Sequence, residues 1–81
     1  MTGDNGMDAT FLDTKGLKCP LPVLKARRAM KLVEPGGLLE VHATDPDSVK
    51  DFKAFCETTG DELVESRDDG DAYVFVIRKK V

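Results

Sequence analysis

Eighty-one residues are enough for one small domain and leave no room for a second core or a deep catalytic cavity. Hydrophobic residues make up 41% and charged residues 33%, with no Trp, which is the balance of a folded chain with a largely aliphatic core and not of a disordered one. The net charge of -3 argues against the unspecific phosphate attraction of a nucleic-acid binder, and no run approaches the roughly twenty apolar residues of a membrane span.

Residues 1–7 read as a polar tail with no apolar stretch of the kind a signal peptide needs, and residues 8–81 as the single domain. Thr10 to Thr14 is a short strand candidate, followed by a turn at Lys15-Gly16. Val23, Ala26, Met30 and Val33 recur at helical spacing, with Leu24 alongside, and predict an amphipathic helix from Pro20 or Pro22 to Val33 that Pro35-Gly36-Gly37 ends. Leu38 to Thr44 alternates: Leu39, Val41 and Ala43 face one way, Glu40 and His42 the other, as in a half-buried strand. Asp45-Pro46 supplies an N-cap followed by proline at the first helical position. Val49, Phe52, Phe55 and Cys56 give that second helix its apolar face, and Gly60 its stop. Glu62 to Arg67 is a weaker strand, Asp68-Asp69-Gly70-Asp71 a hairpin turn, and Ala72 to Arg78 the strongest strand former.

The order β-α-β-α-β-β, with two helical crossovers and a closing hairpin, predicts an α+β two-layer sandwich with both helices on one face of a mixed sheet. The last strand is apolar on both sides, Tyr73, Phe75 and Ile77 on one and Val74 and Val76 on the other, so it belongs inside the sheet. That favours the spatial order 1-2-4-3. The face without helices then leaves Val74 or its neighbours as an exposed contact surface.

The most specific feature is Cys19-Pro20-Leu21-Pro22, where the first strand and its turn give way to the helix. A thiol within a turn of a helix N-terminus sits at the positive end of the macrodipole, which favours the thiolate. Two registers are open: Cys19 as N-cap with Pro20 first, or Leu21 as N-cap with Pro22 first. Because the prolines have no N–H, the amides of Leu21 and Val23 are left as donors to a sulfur anion, with little bulk at Gly16 to obstruct a partner. From Thr14 to Val33 there are six basic residues (Lys15, Lys18, Lys25, Arg27, Arg28, Lys31) and no acidic one, whereas Glu34 to Asp71 holds twelve acidic against three basic. The basic block reads either as a solvated helix face or as a collar, Lys18 and Arg27 in it, that lowers the thiol pKa and docks an acidic partner.

Free cysteines are commonly small buried hydrophobes, and for a lone Cys-Pro that reading would prevail; Pro22 and the preceding Gly16-Leu17-Lys18 favour a reactive thiol instead. Cys56 falls on the second helix's apolar stripe and reads as core, with a Cys19–Cys56 redox pair as the second reading. One His and two scattered Cys make no zinc set, no Cys-x-x-Cys is present, and Gly36-Gly37 is a turn and not a phosphate loop. A Cys19–His42 dyad would require proximity that spacing alone does not give.

The run Leu12-Asp13-Thr14-Lys15-Gly16-Leu17-Lys18-Cys19-Pro20-Leu21-Pro22-Val23-Leu24 resembles the signature of the TusA/SirA-like sulfur carrier family, a Cys-Pro-x-Pro motif after Gly-Leu. The resemblance continues through Pro35-Gly36, Asp45-Pro46, Phe55-Cys56, Gly60 and Tyr73 to Arg78. It implies a sandwich like the C-terminal domain of translation initiation factor three and a cytoplasmic sulfur relay in place of a stand-alone turnover enzyme. Cys19 is then the persulfide carrier, with Gly16, Lys18, Pro20, Leu21, Pro22 and Arg27 in support. The implied donor is a cysteine desulfurase or a rhodanese-type transferase, and the receiver a downstream acceptor protein. The pathways implied are tRNA thiolation, sulfur oxidation or molybdenum cofactor supply. No cofactor beyond the transient persulfide, no metal, no direct nucleic-acid contact and no membrane are expected, and the chain is expected to be a monomer. The alternative is a regulatory or nucleic-acid-binding module in which Cys19 is structural.

Overall fold

Alternation and helical periodicity in this sequence resolve into six elements in the computed structural model, which describes residues 10–81: β1 (Thr10–Thr14), α1 (Leu21–Met30), β2 (Leu38–Ala43), α2 (Ser48–Thr59), β3 (Glu62–Asp68) and β4 (Tyr73–Arg78). Residues 1–7, read as a tail, lie outside the described residues. The sheet runs β1-β2-β4-β3, with β1 parallel to β2 and β4 antiparallel to both of its neighbours. The order 1-2-4-3 follows from the apolar character of β4, which needs a strand on each side. Leu39, Val41 and Ala43 of β2 and Phe75 and Ile77 of β4 point to one face. There they pack with Ala26 and Met30 of α1 and Phe52, Phe55 and Cys56 of α2. Phe52 is fully buried and stacks on Phe75 with ring centroids 4.6 Å apart.

The helix limits differ from the periodicity. α1 stops at Met30, three residues before Val33, because the amides of Lys31, Leu32 and Val33 turn to the carbonyls of Arg28, Ala29 and Met30. That tighter i→i−3 turn still carries Val33 into the core, so the apolar spacing outlasts the helix. α2 starts at Ser48 and not at Pro46, with Asp47 at its N-cap, because the Ser48 and Val49 amides close tighter i→i−3 turns on the Asp45 and Pro46 carbonyls. Val49 lies 40% exposed and does not belong to the apolar face. β3 is interrupted between Leu63 and Glu65, where Val64 bulges out of register.

Gly60 ends α2 at φ +85, its amide closing on the Cys56 carbonyl at 2.9 Å. Gly60→Ala should therefore cost about 1–2 kcal/mol, read as a shift in denaturant midpoint, because an L side chain is disfavoured in the left-handed region.

The face without helices is not the apolar patch expected from Val74. Val74 is fully buried, in register between His42 and Arg67, whose side chains flank it. His42 Nε2 lies 2.7 Å from Glu40 Oε2 and meets the edge of Phe11, while Arg67 donates to Asp69 and Glu65. Long polar side chains cover the aliphatic stretch between them. Among the described residues no helix is long and apolar enough to cross a membrane.

Candidate functional site

After β1 the chain turns at Gly16 (φ +84), a conformation that favours glycine; its amide donates to Thr44 Oγ1 at 2.9 Å. Nothing in the fold lies within 4 Å of where a Cβ would be, so within the chain it is the turn that calls for glycine. Lys18 follows, its carbonyl accepting the Leu21 amide at 2.8 Å. That contact removes Leu21 N–H from the donors expected for a sulfur anion. The Cys19-Pro20 peptide is cis, Pro20 occupies the N-cap position, and Pro22 is the second residue of α1, so neither expected register holds. Pro22 is fully buried, so it helps seat α1 in the fold as well as stiffening the chain.

Cys19 itself is exposed and free. Two carboxylates distant in sequence hold it. Its amide donates to Asp45 Oδ2 at 2.8 Å, and its thiol donates to Asp51 Oδ2 in the first turn of α2. Asp45 also takes the Asp47 amide at 3.0 Å. The two amide donors, with Lys18 as a further influence, hold the Asp45 carboxyl below its ordinary value. Cys19, Pro20, Val23, Arg27, Asp51 and Phe55 line an open groove of about 280 Å³ between α1 and α2.

The electrostatics at the sulfur are the reverse of those expected. The hydrogen bond to Asp51, followed by desolvation and by the fields of Asp51, Asp45 and Asp47, pushes the thiol from its ordinary 9.0 up to about 11. The collar at the thiol is acidic, because folding sets the β2–α2 connection beside Cys19. The basic block is dispersed around α1. Arg27 reaches the groove, whereas Lys25 and Arg28 flank Leu12 on the β1 side of the helix. Lys18 shares a separate depression with Asp45, and Leu21 is 45% exposed. The structure therefore unites Cys19, Pro20 and Arg27 in one groove, with Gly16, Lys18, Leu21 and Pro22 around it. Asp51 is the residue that sequence reasoning missed, and Asp45 was legible only as a helix cap.

Cys56 is core, as its place on the α2 stripe suggested, and does not line the groove. Burial, with a smaller effect of Asp61, pushes its thiol to about 11. The folded chain thus holds a proton that the unfolded chain, with a thiol near 9.0, gives up first. This contribution to stability is whole below pH 9.0 and is lost as pH rises through about 11. Melting temperature should therefore fall more steeply with alkaline pH in the wild type than in Cys56→Ala. His42 belongs to the face without helices, bonded to Glu40, and forms no dyad with Cys19. Among the described residues, no group of three His, Cys, Asp or Glu could hold a metal ion.

Comparison with known proteins covers almost all of this architecture. Residues 10–79 match the family model described as sulfurtransferase TusA. The chain is 50% identical over 68 residues to the sulfur carrier protein TusA of Allochromatium vinosum, covering 84% of this chain and 90% of that protein. It is 45% identical over 70 residues to the sulfur carrier protein TusA of Pseudomonas paraeruginosa, covering 86% and 89%. The crystal structure of a SirA-like protein from Desulfitobacterium hafniense superposes with a TM-score of 0.76 at 26% identity, over 89% of this chain and 99% of that one.

Proposed function

This chain belongs to the TusA sulfurtransferase family, and from that premise we propose that it is a sulfur carrier in which Cys19 shuttles sulfane sulfur as a persulfide. The observation that carries the reading is Cys19 itself, a free and exposed thiol in the family's motif at the mouth of a groove. In loading, Cys19 gives up its proton and its sulfur attacks the outer sulfur of a donor cysteine persulfide. The Cys19 S–S bond forms, the donor's S–S bond breaks, and the electron pair leaves on the donor's cysteine sulfur, which takes up a proton. The net exchange is thiol plus persulfide to persulfide plus thiol, with no oxidant or reductant consumed. Unloading runs the same exchange toward an acceptor thiol. Such chemistry requires an accessible sulfur and no enclosed cavity, which suits a fold of this size.

The donor class is a cysteine desulfurase or a rhodanese-type transferase, the receiver is an acceptor protein, and tRNA thiolation is the destination to test first. Arg27 gives the groove that Cys19 lines one cationic group for an acidic donor. The relay works in a reducing compartment, where both free thiols persist. A purely structural Cys19 fits poorly with its exposure.

Incubation with a cysteine desulfurase and cysteine should add the mass of one sulfur atom to the Cys19 peptide. An unchanged mass, or an increment on Cys56 alone, overturns the reading.

A further inference from the structure

The contact between Cys19 and Asp51 bridges 32 positions of sequence and is the only side-chain hydrogen bond made by the thiol among the described residues. We infer that Asp51 is a positioning residue of the carrier: it holds the empty Cys19 as a quiet, hydrogen-bonded thiol and lets go once a second sulfur is attached. The inference rests on the carrier reading and deepens it.

The empty and the loaded sulfur differ in what they can donate. In the empty carrier Sγ bears a proton, and Asp51 Oδ2 accepts it. In the loaded carrier Sγ is bonded to Cβ and to the outer sulfur, so it has no proton and this hydrogen bond cannot form. The remaining S–H sits one bond further out, about 2.05 Å beyond Sγ. A persulfide is a stronger acid than a thiol, so the outer sulfur ionises readily, and the carboxylate then repels it toward solvent. The charged groups around Cys19 come from every neighbouring element: Asp45 and Asp47 from the β2–α2 connection, Asp51 from α2, Lys18 from the segment before Cys19, and Arg27 from α1. Among the described residues only Asp51 bonds to the sulfur. The ordering of effects on the thiol agrees, with the Asp51 hydrogen bond first and the field of Asp47 last. One carboxylate thus gives the two states of the carrier different reactivity: the empty thiol is shielded from stray electrophiles, while the loaded sulfur is presented.

The test is alkylation by iodoacetamide from neutral pH to about 11, followed on the Cys19 peptide, for wild type, Asp51→Asn and Asp47→Asn. In the empty protein the wild-type profile should rise near 11 and that of Asp51→Asn nearer 9.0. Moving the thiol between those values raises the thiolate fraction at neutral pH, and the lower intrinsic nucleophilicity of a more acidic thiol offsets part of it, for a net gain of roughly tenfold. Asp47→Asn should stay within about twofold of wild type, since it removes charge and no hydrogen bond to sulfur. After loading with the desulfurase and cysteine, the outer sulfur should react faster than the empty wild-type thiol, and equally fast in wild type and Asp51→Asn.

The same profile for Asp51→Asn and wild type overturns the inference. So does an equal shift in Asp47→Asn, or a loaded form that keeps the Asp51 dependence of the empty one. If Asp51→Asn fails to fold, the comparison of empty with loaded wild type decides: equal slowness in both overturns the inference. The carrier reading fails separately, by absence of any sulfur increment, and the profiles of the empty protein still decide whether Asp51 holds the thiol.

Discussion

Cys19→Ser should carry no transferable sulfur at all, while Cys56→Ala loads as the wild type does. The hydroxyl that replaces the thiol can still donate to Asp51 and preserves nearly the same volume at an exposed position, so the fold should stay intact. What is lost is the chemistry: an alkoxide is far less accessible at neutral pH than a thiolate, and oxygen does not exchange with sulfane sulfur. Intact mass after incubation with a desulfurase and cysteine should show one added sulfur in wild type and Cys56→Ala, and none in Cys19→Ser. Sulfur retained by Cys19→Ser would move the carrier site elsewhere. Cys56→Ala removes a buried side chain and should cost stability without touching the groove.

The largest effect on stability is expected from Phe52→Ala, at about 3–5 kcal/mol. Phe52 is fully buried, stacks on Phe75 of the central strand and meets the edge of Phe55 at 6.3 Å, so its removal leaves a cavity between α2 and the sheet that both layers border. For a domain whose whole stability is of the order of 5–10 kcal/mol, such a loss takes up a large share of it. Urea unfolding should show the midpoint falling with little change of slope. A loss below about 1 kcal/mol would mean that the core closes over the gap. Because Phe52 follows Asp51 directly in α2, the variant should also loosen the hold on Cys19.

Much of the fold was legible because burial imprints a period on the sequence. Leu39, Val41 and Ala43 alternate and Gly60 carries the left-handed stop, while β4, apolar on both sides, points by itself to the order 1-2-4-3. The ends of the helices were less legible. Val33 keeps the apolar spacing in a turn that is no longer α-helical, α2 is likewise preceded by a tighter turn over Asp45 to Val49, and the Asp45 carboxylate takes the distant Cys19 amide as well as the local Asp47 one. Val74 misled because strand alternation shows which face a side chain takes but not which long neighbours lie over it.

The site divides in the same way. Cys19 and its prolines are written in four consecutive letters, whereas the electrostatics at the sulfur depend on residues 26 and 32 positions away. Counting charges near Cys19 in sequence gave a basic setting. A helix turns about 100° per residue, so of the basic residues on α1 only some can share the groove, and Arg27 is the one that does. The acidic neighbours come from a connection whose approach to Cys19 is a property of the sheet order and of no local pattern.

Both restraints on Cys19 originate beyond β2, so the thiol is held only while α1 and α2 stay docked across the groove. Each opening of that seam parts the already exposed thiol from Asp51 and gives it back its ordinary acidity, even when the rest of the chain remains folded. Cys19 is therefore a built-in reporter: the pH at which it begins to label follows how firmly the two helices stay together, and the protein needs no added probe for that seam to be watched.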